Sequence, residues 1–300
     1  MISSRSRVAF AATCTALALV VASVSGAGAA NATVGLGTAG EYAVLAGTTV
    51  TNTGPSTVHG SLGLSPGTAV TGFPPGVVSA GSVHAADAAA SSAQADLTTA
   101  FNDASGRAST GAVTADLGGQ TLIPGVYTGG ALALTGNLTL DGQGDAGAVF
   151  VFQAASTLVT ASASRVTLVN GAAACRVFWR VGSSATIGTS SNFAGTVLAL
   201  TSIAAQTNAS INGRLLARNG AVTLDSNTFT GPSCASAPPA GAGGATVTSS
   251  TIPGTGAHAL VKMKGAIAAV VVGAALVYTG RRNKRGGRLT VVTTRVSRSK

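Results

Sequence analysis

An 18-residue repeat in the middle of this sequence constrains its fold more than any other feature. The repeat is seen in three consecutive segments, residues 177–194, 195–212 and 213–230, and the earlier segment 150–167 aligns with them. A fixed period of this kind is typical of solenoids, in which each repeat forms one coil stacked on the next. The sequence therefore predicts a coiled β-solenoid.

Aligning the four segments brings apolar residues into three columns. The columns are Phe152, Trp179, Val197 and Leu215; Leu158, Ala185, Ile203 and Ala221; and Val166, Phe193, Ile211 and Phe229. Each column predicts the inward side of one wall, built of short strands about 4.8 Å apart; we number the walls 1, 2 and 3 in that order. Asn212-Gly213 and Asn219-Gly220 fall where the chain changes wall. Residues 168–176 are extra and predict an excursion between two coils.

A helix is predicted before the repeats, at about residues 83–104. Small and apolar residues recur there every three or four positions, with Ser82 as a candidate N-cap and Gly106 as a candidate C-terminal stop. A helix of about 20 residues spans roughly 30 Å, so we expect it to lie along the solenoid with its alanine-rich stripe against a wall. Residues 42–81 predict further coils or a capping structure.

The net charge of +10 is concentrated at the two ends of the chain. Residues 30–234 hold six arginines and all eight acidic residues, which leaves this region at about −2. A net positive charge confined to the termini indicates membrane topology rather than a nucleic-acid partner.

The first 29 residues have the layout of a secretory signal peptide. A basic start precedes an apolar run at residues 8–24 and a small-residue site at residues 27–29. We predict cleavage between Ala29 and Ala30, which would place the mature protein outside the cytoplasm.

Two cysteines, Cys175 and Cys234, remain after this cleavage. An even number of cysteines in an oxidising compartment favours a disulfide over two free buried thiols. Such a bond could contribute about 4 kcal/mol in the chain-entropy model, if the excursion brings the two Cα atoms within about 7 Å.

The C-terminal region divides into three parts. Residues 235–264 are a linker rich in Ala, Pro, Gly and Thr, residues 265–280 are a hydrophobic membrane segment, and residues 281–300 are a basic tail that topology rules place in the cytoplasm. Sixteen residues are few for a spanning helix, which needs about 20. Lys262 and Lys264 would therefore have to extend toward the headgroups.

A short motif in the linker, Ile252-Pro253-Gly254-Thr255-Gly256, resembles the sorting signal that sortase transpeptidases of Gram-positive bacteria cleave between Thr and Gly. The resemblance implies a sortase partner and linkage of Thr255 to peptidoglycan. Ile252 departs from the usual Leu, and the tail after Arg285 is longer than usual. Cell-wall linkage and a plain transmembrane anchor both remain open.

Five separated motifs carry a resemblance to a known family. They are Thr51-Asn52-Thr53-Gly54-Pro55, Gly63-Leu64-Ser65-Pro66-Gly67-Thr68, Gly72-Phe73-Pro74-Pro75-Gly76, Ile123-Pro124-Gly125-Val126-Tyr127 and the repeats at 177–230. Over about residues 35–234 the chain resembles the ice-binding-like domain family of microbial antifreeze and ice-adhesion proteins. The resemblance implies a mainly β fold, a right-handed, three-sided, irregular β-solenoid with one long α-helix packed alongside. In the members that bind ice, it also implies a flat wall that orders water in an ice-like array.

Ice binding needs a flat, rigid surface of short hydroxyl, amide and methyl groups with few charges. The candidates on wall 3 are Ser190, Asn208 and Ser226 beside Asn192, Ser210 and Thr228, and those on wall 2 are Thr186, Ala204 and Val222. Wall 3 is the more polar and uniform, but Arg165 in the neighbouring coil interrupts it. The alternatives are a solvated solenoid face on wall 3 and an ordinary small-residue surface on wall 2.

The sequence predicts no enzyme, no cofactor and no metal site. Glycoside hydrolysis needs two carboxylates about 5–10 Å apart, which the sequence does not supply. The carboxylates are predicted on the helix (Asp87, Asp96, Asp103), as backbone caps in turns (Asp116, Asp141, Asp145), or singly in the repeats, where Asp225 stacks under Thr207. Residues 142–147 match a dinucleotide fingerprint, but a strand rather than the required helix follows them. His59 and His84 are isolated, and no His and Cys residues have metal-ligand spacing.

These features together predict a secreted, surface-anchored protein that binds ice through a wall bearing Ser, Thr and Asn. The alternative is a structural or adhesive cell-surface module of the same fold without ice activity.

Overall fold

The computed structural model describes residues 31–231 and Cys234. A short 3-10 helix, η1 (Gly37–Glu41), precedes seven strands: β1 (Tyr42–Ala46), β2 (Thr49–Thr53), β3 (Thr57–His59), β4 (Ser61–Leu64), β5 (Ala69–Thr71), β6 (Val77–Ser79) and β7 (Val83–Ala85). Helix α1 (Ala88–Gly106) follows. The remaining elements are β8 (Gly111–Ala112), β9 (Thr121–Leu122), β10 (Gly125–Gly129), β11 (Leu132–Leu134), β12 (Asn137–Asp141), β13 (Phe150–Ala154), β14 (Leu158–Thr160), β15 (Arg165–Val169), η2 (Ala174–Arg176), β16 (Val177–Val181), β17 (Ala185–Ile187), β18 (Asn192–Ala199), β19 (Ile203–Ala205), β20 (Ser210–Ala217), β21 (Val222–Asp225) and β22 (Thr228–Phe229).

The strands stack in parallel into three walls, and each coil runs through walls 1, 2 and 3 in turn. Wall 1 stacks β8, β10, β13, β16, β18, β20, β1, β4 and β7. Wall 2 stacks β11, β14, β17, β19, β21, β2 and β5. Wall 3 stacks β9, β12, β15, β18, β20, β22, β3 and β6. The fold is therefore the mainly β solenoid that the repeat predicted.

Two long strands, β18 and β20, pass through the corner between walls 3 and 1 and belong to both. Gly195 and Gly213 pair with each other at this bend. A Cβ atom on Gly213 would lie 1.8 Å from the carbonyl oxygen of Gly195, so the two coils approach too closely there for any side chain.

The order of stacking differs from the order of the sequence. Strands β1, β2 and β3 pair with β20, β21 and β22, so the N-terminal coils extend the stack beyond the last C-terminal coil. Residues 42–81 thus form further coils, one of the two predictions made for them. The beginning and the end of the domain consequently meet part-way along the solenoid.

The interior confirms the predicted columns on walls 1 and 3. Phe152 stacks on Trp179 with ring centroids 4.1 Å apart, and the Trp179 indole N–H donates to the carbonyl oxygen of Ala194 at 3.0 Å. On wall 3, Phe193 pairs with Ile211 and Ile211 with Phe229. All of these side chains are buried, and they form the core shared by the coils.

The wall 2 column was wrong at its last position. Ile203 pairs with Val222, not with Ala221, because the turn containing Asn219 and Gly220 is one residue longer than the corresponding turn in the preceding coil. Val222 is fully buried and Thr223 is exposed. The 18-residue period resumes at the next corner, where Ser210 pairs with Thr228.

Helix α1 starts later than predicted. Asp87 is its N-cap and accepts a hydrogen bond from the backbone N–H of Ala90 at 2.8 Å, whereas Ser82 and Val83 precede it and Val83 lies in β7. The chain reaches the helix through a strand because this segment pairs with β4 as part of the last coil. The predicted apolar stripe is buried from Ala90 to Ala104.

The predicted disulfide between Cys175 and Cys234 is confirmed, with Cα atoms 5.2 Å apart. It joins η2, within the excursion, to the end of the described chain. Among the described residues, no helical segment combines the length and the hydropathy needed to span a bilayer. The predicted signal peptide, linker, sorting-like motif, membrane segment and basic tail all lie outside the described residues.

Candidate functional site

The outer face of wall 1 is covered and cannot act as a binding surface. Helix α1 and the segment before η1 pack on it, and this layer forms a second apolar core. Its buried members include Val34, Leu45, Leu97, Phe101, Val151, Phe178, Leu198 and Leu216. Two walls therefore remain open to solvent.

The outer face of wall 2 carries one continuous column of short, uncharged side chains. In stacking order they are Ala133, Val159, Thr186, Ala204, Thr223, Thr51 and Thr71, each in register with the next. Val159 is 48% exposed. Threonine supplies a hydroxyl and a methyl group on a stiff β-branched side chain, so this column is both regular and rigid.

Hydrogen bonds between neighbouring coils hold the flanks of wall 2 in place. On one flank the backbone N–H of Ala221 donates to Ser202 Oγ, and the N–H of Ser202 donates to Ser184 Oγ. On the other flank the Thr207 hydroxyl donates to the carboxylate of Asp225, which pairs with Thr53 in the neighbouring strand. Asp225 on this flank is thus engaged with its neighbours, and a second carboxylate, Asp116, pairs with Ala133 at the end of the column.

Thr186 and Ala204 lie on wall 2 as predicted, but Val222 does not face outward. The one-residue shift in the turn before β21 puts Thr223 in its place beside Ala204. Thr51 and Thr71 were not among the predicted candidates, because their coils precede the repeats in sequence. The T-x-T pattern at Thr49, Thr51 and Thr53 was the available signal.

Ser190, Asn208 and Ser226 form a corner column rather than part of a strand on wall 3. All three have positive φ, at 56°, 59° and 52°, and they turn the chain between walls 2 and 3. Gly54, Gly72, Gly119, Gly136 and Ala163 have positive φ at the same corner of other coils. The left-handed backbone of a tight corner, and not a strand surface, determines the side chain at these positions.

Wall 3 carries the other predicted column, with the predicted interruption. Asn192, Ser210 and Thr228 stack in register, and Thr57 and Val77 continue the column. Arg165 pairs directly with Asn192 on the other side. A long, exposed cation therefore projects from the middle of this face.

The three carboxylates that were predicted in turns accept hydrogen bonds from backbone N–H groups. Asp141 and Asp145 accept the backbone N–H groups of Gln143 and Gly147. Asp116 accepts from Gly118, and hydrogen bonds from Thr135 contribute most to lowering its pKa. Among the residues that the structure describes, no group of three His, Cys, Asp or Glu side chains could hold a metal ion.

The glycine-rich segment at residues 142–147 is a turn, as predicted. The backbone N–H of Gly144 bonds to the carbonyl oxygen of Asn170, and Gly144 has a φ of 82°. Strand β13 follows it, so no helix N-terminus is available to bind a phosphate.

The fold and its surfaces define a class of protein: a β-solenoid with one wall covered by a helix and another wall, bearing small side chains, left open. Residues 44–230 match the model of the family described as Ice-binding-like. Because this match covers more than half of the sequence, the chain belongs to that family. The homologues are ice-binding proteins, and the family is not an enzyme family.

Similar proteins of known name come from bacteria and fungi. The ice-binding protein of Nostoc sp. (strain HG1) is 52% identical over 195 residues, which are 64% of this chain and 72% of that protein. The ice-binding protein of Colwellia sp. is 38% identical over 219 residues, which are 66% of this chain and 84% of that protein.

Two crystal structures are also similar. An ice-binding protein from an Antarctic biological consortium has a TM-score of 0.66 and 47% identity, and the match covers 68% of this chain and 93% of that one. The ice-binding protein of the Antarctic ascomycete Antarctomyces psychrotrophicus has a TM-score of 0.63 and 49% identity, covering 65% and 97%. Those two chains consist almost wholly of the matched domain, so in them the domain folds without further segments.

Proposed function

We propose that this protein binds ice, and that it does so through the outer face of wall 2. One observation carries the proposal: seven strands present an in-register column of Thr, Ala and Val side chains without a charge among them. The names of the relatives support ice as the ligand. The in-register stacking of these side chains supports the outer face of wall 2 as the binding surface.

The physical argument concerns how the surface holds water. Parallel strands repeat at about 4.8 Å, so hydroxyl and methyl groups on successive coils repeat at a constant distance along the wall. Stiff β-branched side chains such as Thr51 and Val159 keep these groups in place. The methyl groups cannot hydrogen-bond to water, while the hydroxyls anchor it, and the water layer over the wall becomes ordered before it meets a crystal.

Wall 3 is the weaker candidate because a charged side chain interrupts its outer column. Arg165 lies in its outer column beside Asn192, and His59 lies at its far end in β3. A charged, flexible side chain keeps a disordered hydration shell and prevents close contact with a flat crystal face. Wall 3 is therefore proposed as an ordinary solvated face.

Matched threonine-to-tyrosine substitutions on the two walls test the assignment. Thr51→Tyr and Thr186→Tyr insert a bulky ring into wall 2, and we expect each to abolish most of the thermal hysteresis, crystal shaping and inhibition of ice recrystallisation. Thr228→Tyr is the control, because Thr228 is an exposed threonine in a strand of wall 3. Full activity in Thr51→Tyr together with loss in Thr228→Tyr would move the site to wall 3, and an inactive wild-type domain would reject ice binding itself.

We also propose that the protein is exported and held at the cell surface by its C-terminal region. The signal-peptide layout of residues 1–29, the hydrophobic segment at 265–280 and the basic tail support this, as does a disulfide suited to an oxidising compartment. Mass spectrometry of protein released from cell walls should find a C-terminus at Thr255 if a sortase links it to peptidoglycan. A membrane-bound form with an intact tail would instead support a transmembrane anchor.

A further inference from the structure

The position at which the chain leaves the solenoid is fixed by the last coil and by the disulfide. The last coil ends with β22 on wall 3. Cys234 follows and is bonded to Cys175 in η2, immediately before β16 on wall 1. The exit of the chain is therefore fixed at the corner between walls 3 and 1.

This corner is the one that wall 2 does not share. Each coil passes through walls 1, 2 and 3 in turn, so wall 2 is bounded by the turn near Asn219 on one side and by the corner column of Ser190, Asn208 and Ser226 on the other. In a three-sided coil the remaining corner lies across the interior from wall 2. The apolar core of stacked rings and aliphatic side chains separates the two.

The exit also lies along the side of the solenoid rather than at one of its ends. Strand β22 is flanked by β20 on one side and by β3 on the other. This follows from the stacking of the N-terminal coils on the C-terminal ones. A tether attached at Cys234 consequently pulls from the middle of the long edge opposite wall 2.

We propose that the exit fixed by the Cys175–Cys234 bond leaves wall 2 unobstructed when the domain is attached to a surface through the residues that follow Cys234. The proposal rests on ice binding by wall 2. It implies that the tethered molecule binds an external ice crystal without first turning over, which suits adhesion of a cell to ice. The disulfide holds Cys234 beside Cys175 and so fixes the point from which a tether pulls.

The test compares attachment points on beads, using the domain with part or all of its linker. One set of variants carries a single added cysteine for biotinylation, placed either after residue 236 or after residue 256. Asn219→Cys is the comparison, because Asn219 is exposed at a corner that borders wall 2. Each biotinylated protein is also assayed free in solution for thermal hysteresis, and the beads are scored for incorporation into a growing ice front.

We expect beads attached after residue 236 and after residue 256 to bind ice within about twofold of each other, since the geometry leaves wall 2 accessible at any linker length. Beads attached through Asn219 by a short spacer should bind poorly and recover with a long one. Loss of bead binding on shortening the C-terminal linker, with the free protein still active, would overturn the proposal. Equal binding through Asn219 on the short spacer would do the same.

The free protein separates this inference from the proposed function. If the soluble biotinylated domain shows no thermal hysteresis, ice binding by wall 2 fails, and the orientation inference fails with it. If the soluble domain is active and only the dependence on attachment point is absent, the orientation inference alone fails.

Discussion

Thr51 and Thr223 lie side by side on neighbouring strands of wall 2, although they come from near opposite ends of the domain in sequence. Thr71 continues the row on the next strand. The longest run of threonines on the proposed ice-binding surface therefore exists only because the N-terminal coils stack on the C-terminal coil. An intact junction between β2 and β21 is required for the surface to be continuous.

Two single substitutions, one at Val222 and one at Thr223, test the register of this junction. Val222→Thr is nearly isosteric but buries a hydroxyl in the core, and we expect it to lower the free energy of unfolding by about 1–3 kcal/mol. Thr223→Val changes an exposed position and should alter stability by less than about 0.5 kcal/mol. Urea unfolding of both variants measures the change in the free energy of unfolding. A larger loss for Thr223→Val than for Val222→Thr would mean that Val222, and not Thr223, is the exposed residue.

Removing the disulfide should reduce stability without affecting wall 2. Replacing Cys175 and Cys234 by Ser is expected to cost about 2–5 kcal/mol, because residue 234 is then no longer fixed to η2. The midpoint of thermal unfolding should fall accordingly. Thermal hysteresis near 0 °C should persist in the folded fraction, and its loss from a fully folded variant would mean that the bond also shapes the binding surface.

Arg180 connects helix α1 to wall 1 through contacts that a lysine side chain could not make together. Its guanidinium lies 4.8 Å from the centroid of the Phe101 ring, its Nε donates to Ser105 Oγ at 2.7 Å, and one terminal nitrogen donates to the carbonyl oxygen of Ala154 at 3.1 Å. Arg180→Lys loses the planar group that makes these contacts together, and we expect a cost of about 1–2 kcal/mol.

Arg165→Lys is the matched control for this substitution. Arg165 is exposed on wall 3, so its replacement should change the free energy of unfolding by less than about 0.5 kcal/mol. Chemical denaturation of the two variants under the same conditions gives the comparison. Equal effects would show that the contacts of Arg180 add nothing to stability.

Stability should fall in acid because of three carboxylates that accept hydrogen bonds. The pKa of Asp87 is lowered mainly by the backbone N–H of Ala90, that of Asp96 by the Thr38 side chain, and that of Asp116 by the Thr135 side chain. A pKa that is lower in the folded state contributes stability above the unfolded pKa, and this is lost as the pH falls through the folded value. We expect a flat thermal midpoint from about pH 5 to 8 and a decline below about pH 4.

The variant Asp116→Asn tests one part of this pH dependence. It should have a lower midpoint than the wild type at pH 7 and a smaller decline between pH 5 and pH 3, since one of the titrating groups is gone. Differential scanning calorimetry across this range is the measurement. If the thermal midpoint of this variant fell as much as that of the wild type between pH 5 and pH 3, Asp116 would not contribute to the pH dependence.

The repeat by itself determined the solenoid, its three walls and most of its core. Residues such as Trp179 and Phe193 could be assigned to the interior because each coil buries the same positions at a constant spacing. The cysteine count and the predicted compartment were sufficient for the disulfide. These features depend on local pattern or on composition, which a sequence displays directly.

Tertiary structure alone decided which coils are neighbours and which side chain each wall presents. One additional turn residue near Asn219 moves Val222 inward and Thr223 outward, because side chains alternate with a period of two and a shift of one residue reverses them. Pairing with β4 draws Val83 into a strand and delays the helix to Ala88. The proposed surface and the fixed exit at Cys234 both depend on contacts between distant parts of the chain, and no local pattern encodes those.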